Sequence, residues 1–346
     1  MDWILSLIIF IAVLIVYVHV SSHLSASSDM EVYNVLNIPS DKLDELCGAK
    51  QPFVAKNGDN PLHGGAGGAL DGLVEFSVRT TGAHDQADVP PLTVGRAKSE
   101  KLFSRSGEDG GSVKYYSCGN WVAARAALSD QGLLSARDAF FAPPMTVHST
   151  SDFIVGETGA HTALRYDVAH RTFLYAIDGS STVTLAPPNR AEKLGVIKDY
   201  ELLEFRSPHD PRTIPEKDVM RVNLVPGDTL YVPPYWFYSV QLGERTKVHL
   251  FQYYTALNVL STVNHHVLHQ LQLNNIKLGY DSAKPIDFSP ETAGVVDVDV
   301  IKDVDVVEDV VDVVEDVVED VVPKKKQKKK RVVFKDGDRS ELPTSQ

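Results

Sequence analysis

The chain has 346 residues, of which 43% are hydrophobic and 23% are charged, enough for one large globular domain with appendages. Its formal net charge of −12 argues against a general nucleic-acid-binding protein, so no sequence-specific nucleic acid is expected as a partner. The two cysteines, Cys47 and Cys118, are too few to form a disulfide framework.

An apolar run opens the chain. Residues 3–20 carry no formal charge, and their 18 residues would span about 27 Å as a helix, close to the roughly 30 Å of a bilayer core. No Lys or Arg precedes the run, which is longer than a signal-peptide core, although the small residues Ser22 and Ala26 leave cleavage open. The sequence predicts a single-pass membrane anchor (residues 1–22) that contacts lipid through residues 3–20. The chain has no Asn-x-Ser/Thr sequon, which favours a cytosolic domain without fixing the side or the membrane.

Residues 21–30 are predicted to form a polar linker, and mixed elements follow it. Apolar periodicity and turn residues predict helix 40–47, strand 52–55, loop 57–68, strand 73–78, and helices 121–128 and 133–140.

A polar cluster follows at His161, Arg165 and Asp167. Residues two apart on a strand share a face, so Arg165 and Asp167 should point the same way. Inward-pointing polar groups at the mouth of a small β-barrel suit a metal or an acidic ligand, and a strand end capped by a surface ion pair is the alternative.

Four β-rich runs follow this cluster along the chain. Runs 172–177 and 182–185 bracket Asp178–Gly179, which predicts a β-hairpin. Further along, Pro and Gly residues separate strand 229–232 from the aromatic strand 235–240.

These segments resemble the cupin-like JmjC family of 2-oxoglutarate dioxygenases. Residues 162–167 (TALRYD) resemble its T-x-L-H-x-D motif, and residues 226–240 (PGDTLYVPPYWFYSV) resemble its PGD-x-LY-x-P-x-x-W-W-H-x-V motif. Weaker similarity appears at residues 50–54 and 248–254, so the resemblance covers roughly residues 30–280. It implies a mainly β fold with flanking helices, namely a double-stranded β-helix (jelly-roll) barrel.

The resemblance also identifies the positions that depart from the family. The three iron-ligand positions fall at Arg165, Asp167 and Tyr238, and the position of the 2-oxoglutarate lysine falls at Ser181. Arginine stays protonated and offers only donors, so only Asp167 remains from the 2-His-1-carboxylate set. We expect the Arg165 guanidinium to pair with the Asp167 carboxylate where the metal would lie.

Two functions follow from this comparison. The first is a metal-free binding or scaffolding module (a pseudo-oxygenase) that serves an unknown protein partner and needs no cofactor. The second is an Fe(II)/2-oxoglutarate-dependent protein hydroxylase or demethylase, in which alternative ligands would come from His161, His170 or His249 beside Asp167 and Tyr238. The predicted pocket has four further side chains: Thr162, Tyr175, Tyr231 and Trp236.

Two more segments suggest contacts with partners. Residues 197–215 form a polar insertion between the two motifs, where partner contacts are common. Residues 258–273 carry a helical apolar stripe, which predicts packing on the barrel or a homodimer through this helix. His265 and His269 have the spacing of a metal pair, but without a third ligand nearby a solvated histidine face is expected.

The composition changes near residue 286. Valine pairs alternate with Asp and Glu, and a basic run follows at residues 324–331. This composition predicts a low-complexity tail that is disordered alone or helical with a partner. The predicted domains are therefore the anchor (1–22), the cupin-like domain (30–285) and the charged tail (286–346).

Overall fold

The structure is a computed structural model, and it describes residues 2–56, 61–62, 76–81, 93–97, 114–130, 132–200 and 203–275. The predicted tail, residues 286–346, and most of the predicted loop 57–68 lie outside the described residues.

The described helices and strands follow the predicted order. The helices are α1 (Asp2–Leu24), α2 (Ser40–Gly48), α3 (Trp121–Asp130), α4 (Leu133–Phe141), α5 (Ala256–Ser261) and α6 (Val263–Asn275). The strands before the polar cluster are β1 (Tyr33–Leu36), β2 (Phe53–Lys56), β3 (Phe76–Thr80), β4 (Thr93–Ala97), β5 (Tyr115–Ser117) and β6 (Thr146–Gly156). The strands that follow are β7 (Arg165–Tyr166), β8 (Arg171–Asp178), β9 (Ser181–Ala186), β10 (Ile197–Asp199), β11 (Glu204–Arg206), β12 (Met220–Leu224), β13 (Thr229–Val232), β14 (Phe237–Leu242) and β15 (Lys247–Thr255).

Two β-sheets form the body of the molecule. The large sheet has the strand order β1-β2-β13-β8-β15-β6-β5-β3-β4, and the small sheet has the order β10-β11-β7-β14-β9-β12. The chain alternates between the sheets from β6 to β9 and again from β12 to β15, and β13-β8-β15-β6 faces β7-β14-β9-β12 as in a jelly roll. Between these two stretches, β10 and β11 stay in the small sheet. The predicted mainly β class is confirmed. The predicted closed barrel is not, because the ladders of the described strands leave two separate sheets.

The predicted hairpin of β8 and β9 is wrong, although both strands lie where the sequence indicated. Strand β8 pairs with β13 and β15 in the large sheet, whereas β9 pairs with β12 and β14 in the small sheet. The Asp178–Gly179 turn instead carries the chain between sheets. Gly179 has φ +64°, a left-handed conformation that favours glycine. A Cβ at this position would also clash with the carbonyl oxygen of Glu244, which would lie 2.6 Å away.

The main apolar core fills the space between the sheets. Alternate residues point inward on each strand, among them Leu174 on β8, Val183 on β9, Val240 on β14 and Leu250 on β15. The opposite face of the large sheet is also apolar, because α2 and α4 cover it. There Phe173 packs against Phe141 of α4 and Phe251 of β15.

The insertion between β9 and β12 covers the outer face of the small sheet. Leu194, Ile214 and Val219 from the insertion pack against Phe237 of β14. Within it, residues 197–215 are the predicted polar insertion, and part of this segment forms β10 and β11, which extend the small sheet beside β7. Its contacts with a partner stay a prediction.

The segment after α1 is fixed to the domain instead of forming a free polar linker. The indole nitrogen of Trp236 donates to the carbonyl of Ser27 at 2.9 Å, and the Gln51 amide donates to the carbonyl of Asp29 at 2.8 Å. Ala26 packs against the main core. Helix α1 lies next to α5. Within the described part of the chain, no helix meets the length and apolarity required of a membrane-crossing helix.

The single helix predicted for residues 258–273 is two helices that meet at Thr262. Thr255 caps α5 by accepting a hydrogen bond from the amide of Asn258. The predicted packing of the apolar stripe on the barrel and the predicted solvated histidine face are both wrong, and the homodimer through this helix stays a prediction. The stripe of Leu260, Val263, Val267 and Leu271 is exposed, and the histidines of α6 face the body of the domain.

Candidate functional site

Strands β7 and β14 bring two of the predicted site residues together inside the jelly roll. Arg165 and Tyr238 are paired across the antiparallel ladder of these strands. Paired residues point to the same face, and the Arg165 guanidinium carbon lies 5.8 Å from the centre of the Tyr238 ring. Tyr166, between Arg165 and Asp167, packs on the outside of the small sheet against Phe205. The shared inward face predicted for residues 165 and 167 is therefore present.

The Asp167 carboxylate is held by Tyr238. The phenol donates to Asp167 Oδ2 at 2.5 Å, a short charge-assisted hydrogen bond. Burial raises the pKa of Asp167, while Arg165 and the bond from Tyr238 oppose that rise. Burial and the neighbouring carboxylate raise the pKa of Tyr238 well above its ordinary value, so the phenol stays protonated.

The expected Arg165–Asp167 ion pair is replaced by a different one. Arg165 Nη1 lies 3.3 Å from Glu204 Oε1, and Arg79 Nη1 lies 2.7 Å from the same oxygen. Burial alone would raise the pKa of Glu204, but the two guanidiniums outweigh it and lower that pKa. Glu204 belongs to β11, so the insertion supplies the carboxylate that neutralises Arg165.

The open end of the site is lined by β6 and β15. Gln252 accepts hydrogen bonds through Oε1 from Thr150 Oγ1 at 3.1 Å and from Tyr254 Oη at 3.4 Å. The Gln252 side chain also lies close enough to Asp167 to oppose the rise in the pKa of that carboxyl. His148 lies beside Tyr254, with ring centroids 5.8 Å apart. Asp167, Tyr254 and His148 are the partly exposed residues on this side of the site.

A second buried carboxylate stabilises the closed side of the site. Asp152 is fully buried on β6 and accepts hydrogen bonds from the backbone amides of Gly119 at 2.7 Å and Asn120 at 2.9 Å. Burial raises its pKa, and those amides and Arg165 oppose the rise. Asp152 thus fixes the turn between β5 and α3.

Residues 82–259, slightly more than half of the chain, match the model of a family described as the cupin-like domain. The chain belongs to the cupin-like domain family. No curated protein matches the sequence. The resemblance inferred from the two motifs is confirmed by this match, whose boundaries include Arg165, Asp167 and Tyr238.

The residues present in this cupin-like domain do not fit the ferrous iron of the dioxygenases that it resembles. Arg165 occupies one ligand position with a group that has no lone pair to donate. Tyr238 occupies another with a protonated phenol that already donates to Asp167. Among the described residues, no three His, Cys, Asp or Glu side chains are grouped so that they could hold a metal ion.

The three imidazoles considered as substitute ligands lie elsewhere in the cupin-like domain. His161 Nε2 is 3.6 Å from Asp210 Oδ1, in the insertion. His170 has Arg171, Lys50 and Asp44 as its charged neighbours, and burial with Arg171 lowers its pKa to about 4. His249 packs between Phe153 and Phe251 on the face of the large sheet that turns away from the site.

The four side chains predicted to line the pocket have structural positions instead. Thr162 holds β14, since its Oγ1 accepts from the amide of Val240 at 2.9 Å. Tyr175 and Tyr231 lie in the outer cluster of the large sheet, where Tyr231 Oη donates to the carbonyl of Cys47 at 3.2 Å. Trp236 is fully buried in the main core and binds the segment after α1.

The former lysine position is occupied by a short side chain. Ser181 starts β9 on the inward face shared by Val183 and Leu185. Its hydroxyl is buried and has no hydrogen-bond partner among the described residues. A hydroxyl cannot supply the positive charge by which a lysine binds the carboxylate of 2-oxoglutarate.

Sequence reasoning missed Glu204, Arg79 and Gln252. The alternation Glu204-Phe205-Arg206 could have predicted a strand, but nothing in it predicts pairing with β7. Arg79 lies 125 residues from Glu204, so local patterns carry no signal for their contact.

Proposed function

We propose that this cupin-like protein is a membrane-attached, metal-free binding or scaffolding module. The supporting observation is that side chains satisfy one another at the former iron site. The Tyr238 phenol binds Asp167 at 2.5 Å, and Glu204 neutralises Arg165 at 3.3 Å.

This arrangement disfavours a ferrous ion. A metal would have to displace the Tyr238 proton and would meet the Arg165 guanidinium, whose charge repels it. Asp167 alone would remain as a ligand, whereas stable sites for this metal use imidazoles together with a carboxylate. The alternative, an oxygenase with a rearranged site, lacks support from His161, His170 and His249, which lie elsewhere.

The side of the site formed by β6 and β15 could bind a polar ligand or a partner side chain at its rim. Gln252 lies close enough to Asp167 to help to lower the pKa of that carboxyl, so the inner polar groups satisfy one another. The partly exposed residues Asp167, Tyr254 and His148 form the rim that a partner would reach.

Membrane attachment through residues 3–20 is the second part of the proposal. The run forms helix α1, and those of its side chains that the structure describes are exposed, among them Ile8, Ile9 and Phe10 at 58%, 54% and 63%. Exposed aliphatic side chains all around a helix require an apolar environment, which a lipid bilayer supplies.

Metal analysis of the full chain tests the metal-free proposal. The protein, purified in detergent, would be reconstituted anaerobically with Fe(II), desalted and analysed for iron. We expect no stoichiometric iron and no difference between the unaltered chain and Asp167→Ala. One equivalent of iron that is lost in Asp167→Ala would overturn the proposal and favour the oxygenase.

A double substitution provides the positive control. Arg165→His with Tyr238→His restores two imidazoles beside Asp167 and should raise iron retention above that of the unaltered chain. This result would show that the method detects iron at this place in the fold.

A further inference from the structure

Helices α5 and α6 present an apolar surface to the outside of the domain. It consists of Leu260, Val263, Val267, Leu268 and Leu271, with exposed fractions of 43%, 37%, 46%, 42% and 55%. We call these five residues the outer face of α5–α6. A contiguous exposed apolar surface normally marks a contact with a protein or a membrane.

The inner face of α6 is the polar one, which reverses the usual pattern of a surface helix. His265 packs against the rings of Tyr200 and Phe205, at centroid distances of 6.0 and 5.1 Å. His269 Nδ1 lies 2.6 Å from the carbonyl oxygen of Tyr200, and His266 is only 9% exposed. The histidines therefore dock α6 on the domain, and the aliphatic side chains point away from it.

Formal charge is also missing from this part of the chain. Residues 248–276 contain no Asp, Glu, Lys or Arg, although the chain as a whole is 23% charged. A helix that faces water usually carries charged residues on its outer side. Over residues 263–272 of α6, the exposed polar residues are the uncharged Asn264 and Gln272.

The position of α1 indicates which apolar phase covers this surface. Helix α1 lies next to α5. The chain that follows α1 is fixed to the domain by the bond from Trp236 to Ser27 and by the bond from Lys50 Nζ to the carbonyl of Ser25 at 2.8 Å. The anchor therefore leaves the domain at a fixed place beside α5, the helix that contributes Leu260 to the outer face of α5–α6.

We infer that the outer face of α5–α6 lies in the surface of the same lipid bilayer that holds α1. This inference rests on the proposed attachment through residues 3–20. Helices with an apolar side lie in the plane of the interface, with that side below the headgroups. Two contacts, one through α1 and one through α5–α6, would fix the orientation of the domain on the membrane.

Spin labels placed on single cysteines test this inference in the full chain. The native Cys47 and Cys118 are only 4% and 1% exposed, so they should not react in the folded protein. Four variants carry one new cysteine each: Ile9→Cys, Val267→Cys, Leu271→Cys and Val225→Cys. Val225 is an apolar residue that is 51% exposed in the turn before β13, and it serves as the matched control.

Each labelled chain would be reconstituted into phosphatidylcholine vesicles, and the accessibility of its label to oxygen and to a water-soluble nickel chelate would be measured. Oxygen concentrates in lipid and the chelate stays in water. We expect labels at Ile9, Val267 and Leu271 to be reached mainly by oxygen, and the label at Val225 mainly by nickel.

The possible failures can be distinguished. If the label at Ile9 is reached by oxygen but those at Val267 and Leu271 are reached by nickel, this inference is overturned and the attachment through α1 stands. If the label at Ile9 is also reached by nickel, the attachment itself fails. Spin–spin broadening at Leu271 would identify a second copy of the chain as the occupant and would overturn the lipid contact.

Discussion

Arg165 Nη1 lies 3.3 Å from Glu204 Oε1, so the insertion and not the neighbouring Asp167 neutralises this arginine. The same oxygen accepts from Arg79 at 2.7 Å. The Glu204 side chain is 12% exposed and the two arginine side chains are 10% or less exposed. One carboxylate from β11 thus links β3 of the large sheet to β7 of the small sheet.

Glu204→Gln is expected to destabilise the domain by about 3 kcal/mol, because it leaves two buried guanidiniums without a counter-charge. The midpoint of chemical denaturation measures this loss. Glu216→Gln is the matched control, since Glu216 is 92% exposed and lies 3.6 Å from Arg221, and it should leave the midpoint unchanged. Equal midpoints for the two variants would mean that the Glu204 pairs contribute nothing to stability.

Tyr238→Phe is expected to cost about 1–2 kcal/mol, because Asp167 loses its hydrogen-bond donor inside the site. The removed hydroxyl is small, so the ring should keep its packing and its contact with Arg165. Tyr33→Phe makes the same chemical change where the phenol reaches Glu31 at 3.2 Å in an exposed position, and there no loss is expected. A stable Tyr238→Phe variant that binds iron would show that the phenol blocks the site without holding it together.

The sequence located strands better than it identified their partners. Strand 229–232 was predicted with the bounds that the structure has, because proline and turn residues mark its ends. The pairing of β8 with β9 was wrong, because an Asp-Gly turn specifies a reversal of the chain and not the sheet that the next strand joins. In a jelly roll that choice depends on contacts between distant strands, which local patterns do not encode.

In the candidate site, too, the sequence indicated positions better than contacts. The motif frame indicated that Arg165, Asp167 and Tyr238 occupy the three ligand positions, and the structure brings all three together. The sequence did not predict Glu204 as the partner of Arg165. Asp167 shares a strand face with Arg165, so it seemed to be a sufficient partner. The apolar stripe of α6 was predicted correctly, but its packing on the barrel was wrong, since periodicity reveals two faces without telling which of them the domain buries.

Trp236→Phe is expected to release the segment after α1 without unfolding the domain. The change removes the hydrogen bond from the indole to the carbonyl of Ser27 and keeps an aromatic ring in the core. Hydrogen exchange followed by mass spectrometry should show faster exchange in residues 25–31, and little change in β14. Trp121→Phe, on the half-buried start of α3, is the matched control. Unchanged exchange in residues 25–31 would mean that the bonds from Gln51 and Lys50 hold the segment alone.

The histidine docking of α6 should make the domain sensitive to acid. Burial, followed by the neighbouring His269, His265 and His148, lowers the pKa of His266 to about 4, below the value of about 6.5 for an unfolded chain. The unfolded chain therefore binds the proton first, so the stability that neutral His266 provides is complete above pH 6.5 and is lost as the pH falls toward 4.

Lowering the pH from 7.5 to 5 should reduce the free energy of unfolding by about 2 kcal/mol through His266 alone. At pH 5 the unfolded histidine is protonated and the folded one is still neutral, and this pH lies about 1.5 units below the unfolded pKa. His266→Gln should remove that part of the pH dependence, measured as the difference between denaturation midpoints at the two pH values. His209→Gln, at an exposed position of the insertion, should retain the full dependence. If His266→Gln loses as much stability in acid as the unaltered chain does, the acid sensitivity arises elsewhere, and His170, whose pKa is also lowered to about 4, is the next residue to substitute.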